Sequence, residues 1–248
     1  MFQPAATFLT MSVSSLISYA TKLICSNGGS MDYRELHRLV THYFNDSDNV
    51  LLKVLRNKTR FVVAHGKKEQ ASGDRLSPTC KIFAKTSLRM CKVYPNGSCD
   101  NCRALHLCKY FVYQNCLYDN GRCRNSHDLN SDHNSPLLRY HHLQDLEQTE
   151  LFQLLMQNDV SLLPEICAYY NKGDGDYGSC SFKEKCTKLH VCQYFMQGNC
   201  KFVLKCKRSH KCDENTRKKL EDYGFGVKLI QNLPLLYQNM NGINSSSH

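Results

Sequence analysis

The stretch LHLCKYFVYQNC occupies positions 105–116, and a near copy, LHVCQYFMQGNC, occupies positions 189–200. In both copies a His and a Cys stand on either side of a single residue, and the two copies are 84 residues apart. Near-repetition at a fixed separation indicates an internal duplication. His and Cys are common metal ligands. The two stretches therefore predict a repeated metal-binding unit.

The cysteine spacing extends this prediction along the chain. Twelve of the 15 cysteines form four sets of three, and each set is closed by a His four positions after its third Cys. Three thiolates and one imidazole complete a tetrahedral zinc shell and leave no open position, which favours structural over catalytic zinc. We expect four Zn²⁺ ions, in fingers 1 to 4, held respectively by Cys91, Cys99, Cys102 and His106; Cys108, Cys116, Cys123 and His127; Cys167, Cys180, Cys186 and His190; and Cys192, Cys200, Cys206 and His210.

Disulfides are the alternative use of so many cysteines. The count of 15 is odd, and the N-terminal segment lacks the basic start and the cleavage site of a secretion signal. Disulfide pairing would also leave the four regularly placed histidines without a reason. The remaining thiols, Cys25, Cys80 and Cys212, are interpreted as small buried or surface groups.

Composition limits the class of protein. The formal net charge of +10 favours an anionic partner, without choosing between RNA, DNA and a membrane surface. No apolar run approaches the about 20 residues that cross a bilayer, so we expect no membrane partner. Without a targeting signal, we expect the chain in the cytoplasm and also in the nucleus.

The chain reads as a small α+β protein of five segments. They are a winged-helix-like domain at 12–90, fingers 1 and 2 at 91–127, a helical connector at 131–163, fingers 3 and 4 at 167–210, and C-terminal helices at 213–240. We expect the connector to pack the two finger pairs together. The C-terminal segment is predicted as two short helices, broken by Gly224 and Gly226, before a polar tail.

Three helices followed by two strand-like runs, RFVVA and CKIFA, predict the winged helix. Asp46 or Ser47 is the expected cap of the third helix, and the charged segment between the strands is the expected wing. Such a fold suggests DNA contacts through Lys53, Arg56 and Lys58. The alternative, a packing platform with a solvated basic face, is favoured, because a fold does not fix a function.

Aromatic and basic residues in fingers 2 and 4 suggest an RNA surface. Unstacked RNA bases are read by aromatic stacking, by Arg and by hydrogen bonds to base edges. The pairs Tyr110–Phe111 and Tyr194–Phe195 recur directly after a ligand, which favours a role in the core of each finger. The candidates for RNA contact are Lys109, Tyr118, Arg124, Asn125, Phe202, Lys207 and Arg208.

The run LLPEICAYYNKGDGDYGSCSFKEKCTKLHVCQYFMQGNCKFVLKCKRSH, together with SLISYATKLICSNGG, resembles the N-terminal RNA-binding region of the zinc-finger antiviral protein family. The resemblance implies a winged-helix-like platform with four CCCH fingers that bind single-stranded RNA, and a CpG pocket on finger 2. Lys109, Tyr118 and Arg124 match residues of that pocket. Asn125 stands where the pocket has an aromatic residue and Asn115 where it has a basic one, so RNA binding is implied more firmly than CpG preference.

Three functions follow from these observations. The first is a zinc-dependent single-stranded RNA-binding protein of antiviral type, which recruits RNA-decay or translation-control proteins. The second is the targeting module of a mono-ADP-ribosyltransferase, since longer members of the family carry that domain; we expect no enzyme activity in these 248 residues. The third is a protein-interaction scaffold whose fingers are purely structural.

Overall fold

The computed structural model describes residues 12–44, 48–65, 76–97, 99, 102–118 and 122–246, and it is mixed α+β as predicted. The chain divides into two compact units. The winged-helix unit runs to Ser87 and includes Leu138–Leu154 and the chain from Gly242 onward. The finger unit comprises Leu88–Leu137 and Leu155–Asn241.

The winged-helix unit begins with helices and strands in the order helix, strand, helix, helix, strand, strand. Its antiparallel sheet has the order β1-β3-β2. Sequence analysis missed β1, which is only three residues long. The predicted wing, between β2 and β3, and the predicted cap at Asp46 or Ser47 lie outside the described residues. The elements are α1 Val13–Ser26, β1 Ser30–Asp32, α2 Tyr33–Phe44, α3 Asp48–Leu55, β2 Phe61–Ala64 and β3 Lys81–Ala84.

Helix α1 shows why this sequence forms a buried helix. The Ser12 side chain accepts a hydrogen bond from the backbone N–H of Ser15 and so caps the first turn. Leu16, Ala20 and Ile24, spaced four residues apart, are all fully buried. This spacing places them on one face, which packs into the core of the winged helix.

Two helices of the predicted connector are present, α5 Asn134–Tyr140 and α6 Gln148–Asn158. The first turn of α6 is held to α1, because Glu150 accepts hydrogen bonds from Lys22 Nζ at 2.7 Å and Ser26 Oγ at 2.6 Å. Residues 138–154 group with the winged-helix unit, whereas residues 131–137 and 155–163 of the predicted connector group with the finger unit.

The four fingers themselves have little regular structure beyond single turns, as expected. Finger 2 contains α4 Lys109–Val112, and finger 4 contains α7 Gln193–Met196, each directly after the first ligand of its finger. Short 3₁₀ turns occur at Tyr94–Asn96, Lys183–Lys185 and Val203–Lys205 in fingers 1, 3 and 4, and at Val160–Leu162 after α6.

The C-terminal segment differs from its prediction. Helix α8 Glu214–Tyr223 ends at Gly224, whose φ of 102° suits glycine, and α9 Val227–Ser245 is 19 residues long. The two helices and the break at Gly224 and Gly226 are present as predicted, but the second helix is not short, and the predicted polar tail is helical to Ser245. The physical reason is burial, because Ile243 packs with Val62 and Phe83.

Candidate zinc centres and nucleic-acid interface

Each predicted ligand set comes together in space, with its four ligand atoms within 4.8 Å of one another. Sulphur–sulphur distances are 3.6 Å between Cys91 and Cys99 and 3.8 Å between Cys108 and Cys116. Thiolates about 2.3 Å from a tetrahedral zinc ion lie about 3.8 Å apart. None of the fifteen cysteines, all of which are among the described residues, forms a disulfide, and these separations far exceed the about 2.05 Å of a disulfide. The four clusters are therefore fit to bind zinc.

The histidines present the ring nitrogen that such a site needs. In finger 1, His106 Nε2 lies 3.2 Å from Cys102 Sγ. In fingers 3 and 4, Nε2 of His190 and of His210 is buried, with no hydrogen-bond partner among the described residues. A buried nitrogen without a partner is costly, and coordination of a metal ion removes that cost. Nε2 is therefore the expected zinc ligand.

The ligand thiols must lose their protons before they can bind zinc. Burial raises the pKa of the Cys108 and Cys192 thiols to about 11. Burial also opposes ionisation of Cys200, but the backbone N–H groups of Phe202 and Val203 donate to its sulphur and lower its pKa below the usual value. Thiolates are the species that bind metal. A bound zinc ion would supply the remaining stabilisation and with it folding energy.

An aromatic ring stacks on the ligand histidine of every finger. The ring belongs to the residue three positions after the first Cys, and the planes are within 14° of parallel. The ring therefore fixes the orientation of the imidazole toward the ligand sulphurs. The four pairs and their centroid distances are Tyr94 and His106 at 4.4 Å, Phe111 and His127 at 4.4 Å, Tyr170 and His190 at 4.6 Å, and Phe195 and His210 at 4.4 Å.

The two finger pairs are joined internally by the same bonds. We call residues 106–108 and 190–192 the seams. In the first pair Cys108 N donates to Ser126 O at 2.8 Å, and Ser126 N donates to Tyr94 Oη at 2.9 Å. In the second pair Ser209 accepts from Cys192 N at 2.7 Å and donates to Tyr170 Oη at 3.1 Å. The duplication in sequence is thus a duplication of hydrogen bonds.

Finger 2 carries the cavity that best suits an RNA base. Its volume is about 540 Å³, and its lining includes the predicted RNA residues Arg124 and Asn125. Beside them lie Ser126, Asp128 and the edge of finger 1 at Tyr94. A guanidinium, an amide and an aromatic ring are the groups that read unstacked bases. The cavity is therefore the centre of the candidate interface.

The other two predicted residues of finger 2 lie outside the lining of this cavity. Lys109 Nζ lies over the ring of Tyr223, 4.4 Å from its centroid, and 5.2 Å from that of Tyr113. These cation–π contacts hold the ammonium group in one place on the surface of finger 2. The Tyr118 side chain is 62% exposed and so presents a free ring face.

Arg208 requires a correction. It is nine-tenths buried, and its guanidinium donates to the backbone carbonyls of Gly173 and Gly175 while it lies 5.1 Å from the centroid of the Tyr170 ring. Because these contacts occupy the groups that an RNA base would need, Arg208 is not available to contact RNA. It stabilises finger 3 instead, and we call this set of contacts the brace. Lys207 is exposed and its Nζ is paired with Asp174 at 2.7 Å.

The equivalent positions of fingers 2, 3 and 4 reveal a residue that sequence analysis missed. Tyr118 and Phe202, which are predicted to contact RNA, each lie two positions after the second Cys of their finger. Phe182 occupies the same position in finger 3 and is 68% exposed, against 67% for Phe202. The spacing from the second Cys is therefore the signal in the sequence that identifies Phe182.

Two further sequence predictions concern other surfaces. In the winged-helix unit, α3 ends at Leu55, and Lys53, Arg56 and Lys58 lie at and after its end. DNA contact through these residues stays a prediction. Among the described residues, no helix has the length and hydropathy to cross a bilayer.

Comparison with protein families assigns both units. Residues 12–84 match the PARP12 winged helix domain. Residues 89–134 match the PARP12-like CCCH zinc finger tandem, and residues 188–211 match the zinc finger C-x8-C-x5-C-x3-H type. None of these matched domains is a catalytic domain.

Three relatives set the scale of the similarity. Human protein mono-ADP-ribosyltransferase PARP12 is 41% identical over 96% of this chain and 34% of its own length. Human zinc finger CCCH-type antiviral protein 1-like is 32% identical over 91% of this chain and 79% of its own length. Mouse zinc finger CCCH-type antiviral protein 1 is 32% identical over 90% and 23%. The chain thus spans about a third of the PARP12 relatives.

Proposed function

This chain belongs to the CCCH zinc-finger antiviral protein family, and on that premise we propose that it is a zinc-dependent single-stranded RNA-binding protein of antiviral type. The observation that carries the proposal is the cavity on finger 2, lined by Arg124, Asn125 and Tyr94. RNA is the anionic partner that best matches a cavity of this composition on a chain with a net charge of +10.

The chemistry of the cavity gives each side chain a role. The Arg124 guanidinium can stack on a base or donate two hydrogen bonds to it. The Asn125 amide can both donate to and accept from a base edge, although it stacks less well than an aromatic ring. The exposed ring of Tyr118 can stack on a base, and the ammonium group of Lys109 can pair with a neighbouring phosphate. Together these groups suit one or two splayed nucleotides.

Fingers 3 and 4 would extend the contact along the RNA backbone. From Cys167 to Cys212 the sequence has nine basic and three acidic residues. Lysines at exposed positions neutralise phosphates without reading sequence. Phe202 and Lys207 would contribute a stacking face and a phosphate contact. We therefore expect the logarithm of affinity to fall with the logarithm of salt, at about 0.7 per phosphate contacted.

A second role is favoured by the 41% identity to human PARP12 over nearly all of this chain. On that reading the same RNA-binding fingers are the targeting module of a mono-ADP-ribosyltransferase. In either role the chain would act in the cytoplasm, and also in the nucleus, by bringing effectors such as RNA-decay or translation-control proteins to bound RNA.

The proposal is tested by binding of the zinc-loaded chain to randomised single-stranded RNA. Arg124→Ala should lower affinity about tenfold, because it removes a stacking and hydrogen-bonding group. Arg122→Ala is the matched control, since Arg122 is exposed two positions away and does not line the cavity. Both variants should keep four zinc ions. Equal effects of the two variants would move the site elsewhere, and no RNA binding by the zinc-loaded wild-type chain would favour the scaffold function.

A further inference from the structure

The loop between the second and third cysteines of finger 4 carries an apolar tip. We call residues 202–204 the tip. Phe202 is 67% exposed, Val203 61% and Leu204 99%, which makes the tip three consecutive large hydrophobic side chains in solvent. Isolated exposed apolar residues need no explanation, but a contiguous exposed group indicates an interaction site.

Finger 3 shows that the tip is not required by the fold of a finger. Its loop, SFKEK, has the same length as KFVLK of finger 4, and both contain a 3₁₀ turn. Both also place the residue after the phenylalanine in the left-handed region, with φ of 47° at Lys183 and 39° at Val203. A β-branched residue is strained in that region, so Lys183 fits the shared backbone better than Val203 does. The apolar side chains at 203 and 204 therefore serve something other than the loop.

Lysines lie on both sides of the tip in the sequence. Lys201 and Lys205 flank it directly, and Lys211 follows the last ligand of finger 4; all three are exposed, and positions 201–211 contain no acidic residue. We call these three lysines the lysine collar. An anionic partner with an apolar interior matches both features. Nucleic acid matches the cations and Phe202, whose flat ring can stack on a base. Val203 and Leu204 have no flat face to offer a base, whereas a bilayer accepts both.

We propose that finger 4 docks on anionic lipid surfaces, with the tip inserted among the acyl chains and the lysine collar at the level of the headgroups. This contact is peripheral. The expectation of no membrane partner considered only segments long enough to span a bilayer, and three residues are too few to register as such an apolar run. The proposal is independent of the RNA cavity on finger 2, which uses other residues; Phe202 and the lysines are shared with the RNA contact proposed for fingers 3 and 4, whereas Val203 and Leu204 are not.

The experiment uses the full chain and sedimentation with vesicles of phosphatidylcholine, with or without about 30% phosphatidylserine. We expect binding to the anionic vesicles that weakens with salt. Val203→Lys combined with Leu204→Glu gives finger 4 the residues that finger 3 carries on the same backbone, so the finger should fold and keep its zinc. This variant should bind anionic vesicles at least about tenfold more weakly, with unchanged RNA affinity.

Insertion of the tip into the bilayer can be measured by Trp fluorescence, because the wild-type chain contains no Trp. Leu204→Trp places a single indole at the tip, and its emission should shift to the blue and be quenched by brominated acyl chains on anionic vesicles. Phe182→Trp, on the equally exposed loop of finger 3, is the control and should remain in water. Equal vesicle binding by the wild type and the double variant would overturn the proposal, as would an indole that stays unquenched when the Leu204→Trp variant is bound to vesicles. Loss of RNA affinity with vesicle binding unchanged would assign the tip to RNA.

Discussion

The two finger pairs share their seams but use the space beside one aromatic ring in opposite ways. In the first pair Tyr94 borders a cavity of about 540 Å³ together with Asn125. In the second pair Arg208 occupies the position equivalent to Asn125, two residues after the third Cys, and covers the ring of Tyr170. One pair thus presents a pocket where the other has a brace.

The difference depends on loop length as well as on one side chain. Finger 3 has twelve residues between its first two cysteines, and their backbone supplies the carbonyls of Gly173 and Gly175 that accept from Arg208. Finger 1 has seven residues in that interval and no such glycine-rich loop. A local change in sequence can therefore make one copy of a duplicated fold bind a ligand while the other copy uses the same position for stability.

The largest effect should come from removing a zinc ligand of the pair with the pocket. His127→Ala should lower the zinc content from four ions to three and unfold finger 2, because metal binding and finger folding are coupled. The RNA cavity, which His127 lines, should be lost with it. Zinc analysis by mass spectrometry and RNA titration measure the two effects. A variant that still holds four zinc ions would contradict this ligand set.

The next effect should come from converting the pocket toward the brace. Asn125→Arg should fill the cavity beside Tyr94 and reduce RNA affinity about tenfold, despite the added positive charge. Asn130→Arg is the control, because it adds the same charge at an exposed position outside the cavity lining. It should leave RNA affinity unchanged or slightly raised. A gain in affinity from Asn125→Arg would break the comparison.

A third test removes the brace. Arg208→Ala should lower the free energy of unfolding by about 3 kcal/mol, because two buried charge-assisted hydrogen bonds and a ring contact are lost. RNA affinity should not change. Lys207→Ala breaks only an exposed ion pair and should leave thermal unfolding unaltered. The matched measurement is the melting temperature of each zinc-loaded variant, and a reversed order of the two would show that Arg208 is no brace.

The smallest effect concerns what the pairs have in common. Tyr94→Phe and Tyr170→Phe each remove the hydroxyl that accepts from a serine N–H in the partner finger. Each should cost about 1 kcal/mol of stability, measured by denaturant unfolding. Similar losses of stability in the two variants would indicate that the two seams are equivalent. A much larger loss at one site would show that the duplicated bonds are not equivalent.

The ligand sets and the duplication could be read from the sequence because cysteine and histidine spacing is a local, chemically specific signal. The winged helix was predicted for a similar reason, since its helices carry apolar residues at regular spacing. Strand β1 was missed because three residues give no pattern. The end of α9 was missed because Ile243 is buried by residues far away in the sequence, Val62 and Phe83.

The RNA surface was predicted less completely. Arg208 carries the charge expected of an RNA contact, and only the position of the Gly173 and Gly175 carbonyls reveals that it turns inward. Arg124 lies next to the equivalent of that position in finger 2 and stays at the cavity. Composition cannot distinguish an outward from an inward arginine, because the difference lies in the partners that the backbone supplies.

The seam also has a consequence for chemical damage. One residue separates the last ligand of one finger from the first ligand of the next. In each pair the serine just before the final His accepts a hydrogen bond from the first Cys of its own finger and donates one to a tyrosine of the preceding finger. Oxidation of a single thiol at a seam would therefore disturb two zinc sites at once. Under peroxide we expect zinc release in steps of two ions, with each finger pair failing as a whole while the other retains its metal.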